Sequence, residues 1–343
     1  MQSMKNIFVF GCFRSGTTLL SKVLSAHEKI YVASDPYFQF FKAYRDEIGL
    51  RYGLKNIEKQ PIDTYSDKSQ ILILKKIRKD KFRLHIKKLN FKKILDRIKK
   101  FSFRDSPKLK SFLKFKKIKS YKKLLDKLLN IILLAYGNEK VKYIGFKVVF
   151  CEEFISPIRQ SYKKGKIICI VRDPRAVYAS NTGQKNPYPI KFVAEFWNKS
   201  VNFILNNLKY KNIILIKYEN LINQPKKTIK NICKFLNVDF SEKMINENFF
   251  LDGFGRPWKA NSSFSKSNKS FNSKNINRWK RILRKQDIKF IENFCNYQMR
   301  SIGYKKTYKY QKKLINQRPQ WLKKKPPLWF RNKNLNEYIK RYT

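Results

Sequence analysis

The stretch Asn6 to Leu24, NIFVFGCFRSGTTLLSKVL, decides how the rest of the chain is read. Its first five residues form a short, mainly apolar run rich in strand-forming types, and Leu19, Leu20, Val23 and Leu24 then recur at helical spacing. Between the two runs lie Gly11-Cys12-Phe13-Arg14-Ser15-Gly16-Thr17-Thr18, a short glycine-bounded loop. Strand, loop and helix in that order place successive backbone N–H groups and a helix N-terminus around one point, which is a cradle for an anion.

Further along, Val141–Phe150 (VKYIGFKVVF), Lys166–Val171 (KIICIV) and Asn212–Lys217 (NIILIK) are apolar runs separated by helix-like segments. Strands alternating with helices predict an α/β fold, a P-loop NTPase-like parallel sheet flanked by helices. The 343 residues are enough for one large core, and 28 Phe and 19 Tyr supply the surface to bury. Between the first and second strands, Lys75–Leu125 holds 22 basic and 3 acidic residues, interleaved with apolar positions such as Ile94, Leu95, Ile98 and Phe101. This reads as basic amphipathic helices, with Pro107 separating two of them. The expected organisation is a domain over residues 1–305 with a basic helical insertion at about 55–138, followed by a basic, aromatic tail from 306 to 343. A single helix is expected over Ile276–Ile302.

The charge is extreme: 78 Lys and Arg against 24 Asp and Glu, a formal +54. Polyanions, whether nucleic acid, glycan or membrane surface, are the partners this favours, although a lysine-rich composition also solvates helix faces without any partner. Five scattered cysteines without a CxxC pair and two histidines, His27 and His85, argue against a zinc site or a disulfide framework. No apolar run reaches the length of a membrane span or of a signal-peptide core, so the expected setting is the cytoplasm, with peripheral attachment to a membrane left open.

The first loop has the G-x-x-x-x-G spacing of a P-loop, but Thr17 stands where nucleotide-hydrolysing loops carry the lysine that spans the β and γ phosphates. A cradle without that lysine fits a transferred group carrying less charge than a γ-phosphate, such as a sulfonate. Arg14 can supply positive charge to the bridging oxygen as the leaving phosphate develops. The segment Phe13 to Leu20 resembles the 5′-phosphosulfate loop of sulfotransferases that use 3′-phosphoadenosine 5′-phosphosulfate (PAPS). IVRDPRAVYASN is similar to that family's second hallmark, a strand ending in Arg with a Ser eight residues on, here Arg172 and Ser180.

The resemblance implies a PAPS-binding set of Arg14, Ser15, Gly16, Thr17, Thr18, Arg172, Ser180 and Tyr218, with Ser263 and Lys269 on a segment over the 3′-phosphate and no metal requirement. It implies Asp35 as general base, where relatives carry Glu, with Arg14 and Lys147 as the other catalytic groups. Each residue has a plainer reading: Asp35 as a turn residue before Pro36, Lys147 as a side chain reaching a sheet edge, Tyr218 as core packing, Glu152 and Glu153 as caps of a following helix. Asp173 can also be read as a magnesium ligand after a Walker B strand, in a P-loop nucleotide kinase. The acceptor implied is a hydroxyl, on a glycan or glycan precursor, with the lysine-rich insertion contacting an anionic surface or polymer. A non-catalytic polyanion binder is the third reading.

Overall fold

The computed structural model describes residues 4–62, 68–101, 105–114, 116–259 and 271–308. Its centre is a five-stranded parallel sheet, β1 (Lys5–Phe10), β2 (Ile30–Ser34), β3 (Tyr143–Val148), β4 (Lys166–Val171) and β5 (Ile213–Lys217), in the order β2-β3-β1-β4-β5. The fold class read from the sequence is the one observed. Strand β2, IYVAS, is a short apolar run that the sequence reading passed over, and it pairs with β3 in register, Ile30 opposite Tyr143 and Ser34 opposite Lys147.

Both faces of the sheet are covered, which is why its strands read as nearly unbroken apolar runs. Ile7 and Val9 of β1 join Ile168 and Ile170 of β4 on one face, while Phe8 and Phe10 join Ile167 and Cys169 on the other. The first face is covered by α1 (Thr17–Ser25). The second receives α2 (Phe38–Arg51) and, from the basic region, α3 (Lys68–Lys79), α4 (Phe91–Phe101) and α5 (Tyr121–Tyr136), with α6 (Ile155–Ser161) following β3. After β4 come α7 (Pro174–Thr182) and α8 (Ile190–Leu205); after β5 come α9 (Tyr218–Asn223) and α10 (Pro225–Leu236). Pro107 lies between α4 and α5, where it opens a 3-10 turn, Pro107–Phe112.

The single helix expected over Ile276–Ile302 is instead three pieces, α11 (Trp279–Ile282), α12 (Lys285–Phe294) and α13 (Asn296–Ile302). The first break falls at Leu283 and Arg284, whose extended backbone leaves the helical region (ψ 139° and 149°). The α12 segment then buries Glu292, whose carboxylate accepts Arg175 at 2.5 Å and the amides of Thr307 and Tyr308 at 2.8 and 3.1 Å.

The basic region is held to α2 by charges that are fully buried. Asp46 accepts Lys42 at 2.7 Å and Arg45 at 2.6 Å, and Arg45 also reaches the carbonyls of Ile57 and Pro61. Glu47 binds three consecutive amides, Lys87, Lys88 and Leu89, at 3.0 to 3.2 Å, together with Arg51 Nε at 2.9 Å. A buried carboxylate satisfied by so many donors is stabilising only while all of them stay in place. Glu47→Gln is therefore expected to cost about 3 kcal/mol, read as a lower denaturation midpoint in urea with an unchanged slope.

Candidate active site

Strand β1 lies at the switch point of the sheet, with β3 on one side and β4 on the other, and ligands of open parallel sheets gather at the carboxyl ends of strands there. Three chain segments that leave those ends converge: the loop after β1, the residues at the end of β3, and the start of α7 after β4.

The first loop has two left-handed residues, Arg14 (φ 61°) and Gly16 (φ 89°), before α1 begins at Thr17. A Cβ at position 16 would lie 2.4 Å from the Tyr218 ring, so only glycine fits the turn. Ser15 is buried and its hydroxyl has no hydrogen-bond partner among the described residues. Thr17 is buried and Thr18 half-buried at the helix start.

The guanidinium of Arg172 donates to the Arg14 carbonyl at 3.1 Å and to the Asn275 carbonyl at 3.2 Å, and lies 4.3 Å from the centre of the Tyr218 ring. Trp197 of α8 fixes its backbone from behind, Nε1 to the Arg172 carbonyl at 2.8 Å. Arg14 Nε donates to Ser180 Oγ of α7 at 2.9 Å. Burial, reinforced by the like charge of Arg172, lowers the Arg14 pKa to about 10, which leaves the group cationic at neutral pH. Arg14, Ser15, Gly16, Thr17, Arg172, Ser180 and Tyr218 are thus one neighbourhood. Tyr218 is both packed and placed, since its ring sits between the glycine of the loop and the arginine of the next strand. Ser263 and Lys269 lie outside the described residues; Asn275, just beyond them, touches Arg172.

Asp35 directly follows β2. Its backbone is left-handed (φ 45°), its amide donates to the Lys147 carbonyl at 3.0 Å, and its carboxylate accepts the Lys147 ammonium and, at 3.3 Å, the Val149 amide. It is both the turn residue of the plain reading and the carboxylate next to the lysine. Lys147 does not reach an outer edge of the sheet, because β3 is an inner strand and the side chain is 4% exposed.

Other readings resolve differently. Both Asp173 oxygens are taken by Arg175, at 2.9 and 2.6 Å, and Arg175 lies 4.0 Å from the Trp279 ring, so the group that a Walker B site would use is held in an ion pair. Glu152 and Glu153 form a 3-10 turn before α6 and do not cap it; Glu153 pairs with Lys199 at 3.0 Å. His27 is a structural link, Nε2 to the Asp239 carbonyl at 2.9 Å and Nδ1 accepting the Lys29 amide at 3.0 Å. Sequence reading missed Trp197 and Asn275, whose contacts to Arg172 arise only when distant segments meet, and the buried charges of α2. Among the described residues no group of three or more His, Cys, Asp or Glu is arranged to hold a metal ion.

Comparison with known proteins gives a consistent picture. A family model described as "Sulfotransferase family" matches residues 6–242. A putative protein-tyrosine sulfotransferase from Caenorhabditis briggsae is 25% identical over 158 residues, which are 43% of this chain and 55% of that protein. The chain thus spans about half the length of the curated relative it matches. Among solved structures, a sulfotransferase domain from the curacin biosynthetic pathway aligns over 89% of this chain and 99% of its own, with 18% identity and a TM-score of 0.53. A mouse sulfotransferase complexed with PAP aligns over 87% and 86%, with 17% identity and a TM-score of 0.43.

Behind the first loop, burial pushes the Glu152 carboxyl up to about 7, partly opposed by Lys199. A folded pKa above the unfolded one means that the native state binds the extra proton, so stability is greatest below about pH 4.5 for this group and is lost as pH rises through 7. Between those values it contributes a fall of about 1.4 kcal/mol per pH unit. Glu152→Gln removes that slope, to be read from urea denaturation at pH 5, 6 and 7 against wild type.

Proposed function

The chain belongs to the sulfotransferase family, and from that premise we propose that it moves a sulfonate from PAPS to an acceptor hydroxyl on a carbohydrate. The observation that carries the donor assignment is the placing of Arg14 and Arg172 together over a glycine turn, with Ser180 bonded to one and Tyr218 stacked on the other. A half-buried and a buried cation side by side, Arg14 and Arg172, repel one another, and an anion between them relieves the repulsion. The unpartnered Ser15 hydroxyl and the helix start at Thr17 add donors to the same place.

In this reading PAPS supplies the activated sulfonyl group and a phosphate leaving group. Arg172 and Ser180 hold the 3′-phosphate. The loop amides, with Ser15, Thr17 and Thr18, hold the 5′-phosphate, and Arg14 and Lys147 neutralise charge on the bridging and sulfonyl oxygens as the S–O bond breaks. Asp35, a carboxylate and hence an acceptor of protons, takes the proton of the attacking hydroxyl, and its pairing with Lys147 and Val149 fixes its direction. Catalysis rests on positioning and charge rather than on a metal.

The carbohydrate acceptor is supported by the lysine-rich helices beside the site, which suit an acidic glycan, and Ser106 of that region bonds the backbone of Ser34, one residue before Asp35. The relative named as a protein-tyrosine sulfotransferase supports a tyrosine acceptor instead. No helix among the described residues is long and apolar enough to cross a membrane.

Calorimetric titration with adenosine 3′,5′-bisphosphate (PAP) in EDTA is expected to give binding that Arg172→Ala abolishes, with ATP at least tenfold weaker; a preference for ATP with magnesium refutes the donor assignment. Asp35→Asn should keep PAP affinity within twofold while lowering kcat by about 10² or more, measured with labelled PAPS against panels of glycans and tyrosine peptides. The panel that accepts label decides the acceptor.

A further inference from the structure

The face of the sheet covered by α1 carries a second cation within electrostatic reach of Lys147. On β3, Tyr143 belongs to the α1-side core and Ile144, Phe146 and Val148 to the opposite one, so Lys147 lies on the α1 side by the two-residue period of the strand. On β2, Ile30 and Val32 belong to that same core, which puts Ser34 there too, opposite Lys147 in register. Helix α1 closes over both: Ser21 Oγ lies 3.2 Å from Ser34 Oγ, and the next residue of α1 is Lys22.

Lys22 is only 9% exposed, yet its ammonium makes no hydrogen bond or ion pair among the described residues. The charges acting on it come from three segments that meet over this spot: Asp105 of the loop before Pro107, Lys147 of β3, and Asp252. Asp252 is committed to Arg256 at 2.9 and 3.0 Å, and Asp35 is committed to Lys147. Lys22 and Lys147 thus lie within electrostatic reach of one another, with Asp105 the carboxylate that acts most strongly on Lys22, and an anion between the two ammonium groups relieves their repulsion.

We infer that Lys22 is the second cation of an oxyanion site, acting with Lys147 to hold a tetrahedral group of the sulfate class beside Asp35. This rests on the donor assignment made above. The same chemistry has two sources, the sulfonate in transfer or an anionic substituent on the acceptor next to the hydroxyl that is modified. Burial, opposed by Asp105 and reinforced by Lys147, brings the Lys22 pKa down to about 8. The 3-10 turn Glu242–Met244, which also packs on α1, adds Lys243 and a Glu242 already paired with Lys226 at 2.6 Å. Oxyanion affinity should therefore fall as pH rises through 8.

The test uses the full chain as wild type, Lys22→Met and Lys22→Arg, with three probes: PAP, PAPS, and inorganic sulfate added to PAPS-loaded protein. Lys22→Met is expected to leave PAP affinity within twofold and to lose tenfold or more in one arm, while Lys22→Arg retains most of it. Loss of the advantage of PAPS over PAP assigns the site to the transferred sulfonate. Loss of sulfate binding to the loaded protein assigns it to the acceptor. Lys22→Met and Lys22→Arg that match wild type in both arms, with PAP still bound, overturn this inference alone. Wild type that fails to bind PAP overturns the donor assignment and this inference together.

Discussion

Two guanidinium groups held side by side are the constraint on which the site depends. Arg14 and Arg172 come from loops after different strands, and each is fixed by contacts that leave its charge directed at the same place. Nothing in local propensity favours this. It is enforced by the parallel pairing of β1 and β4, by the left-handed glycine that lets the Tyr218 ring approach, and by Trp197, which holds the Arg172 carbonyl from the far side. The core supplies the stability, and the site uses some of it to keep like charges together.

Much of this was legible in the sequence because the chemistry is local there. The stretch from Asn6 to Leu24 contains strand, loop and helix in one window, and Arg172 to Ser180 contains a strand end and a helix start. The resemblance carried by those two windows led to the family that the comparison shows. What was not legible depends on pairs of distant segments. Strand β2 is too short to stand out between two helices until it pairs with β3, and the break before α12 at Leu283 and Arg284 precedes a helix whose Glu292 is bound by Arg175 and by the amides after α13. Lys22 read as one more lysine in a lysine-rich chain. Only its place on α1, over Ser34 and Lys147, distinguishes it.

The insertion shows the same division. Its amphipathic spacing was visible, since Ile94, Leu95 and Ile98 are buried and Lys92 and Lys93 exposed on α4. Its anchoring was not, because Glu47 and Asp46 sit in a helix whose sequence, FQFFKAYRDEIGLR, looks as polar as a surface helix. Charged residues at 0% exposure in α2 are explained only by the amides and cations that the neighbouring segments bring to them.

That anchoring bears on how the chain could change over time. A stretch that merely decorates a sheet can be lengthened, shortened or exchanged between relatives at little cost. Here, excising the lysine-rich helices would strand Glu47 without the amides of Lys87, Lys88 and Leu89 and would remove Ser106 from the backbone beside Asp35. Substitutions on the outer surface of those helices remain cheap, while their junctions with α2 and β2 are bound to the rest of the molecule. The surface of those helices can therefore drift by exchanging exposed side chains, one at a time, on a scaffold that cannot be traded as a block.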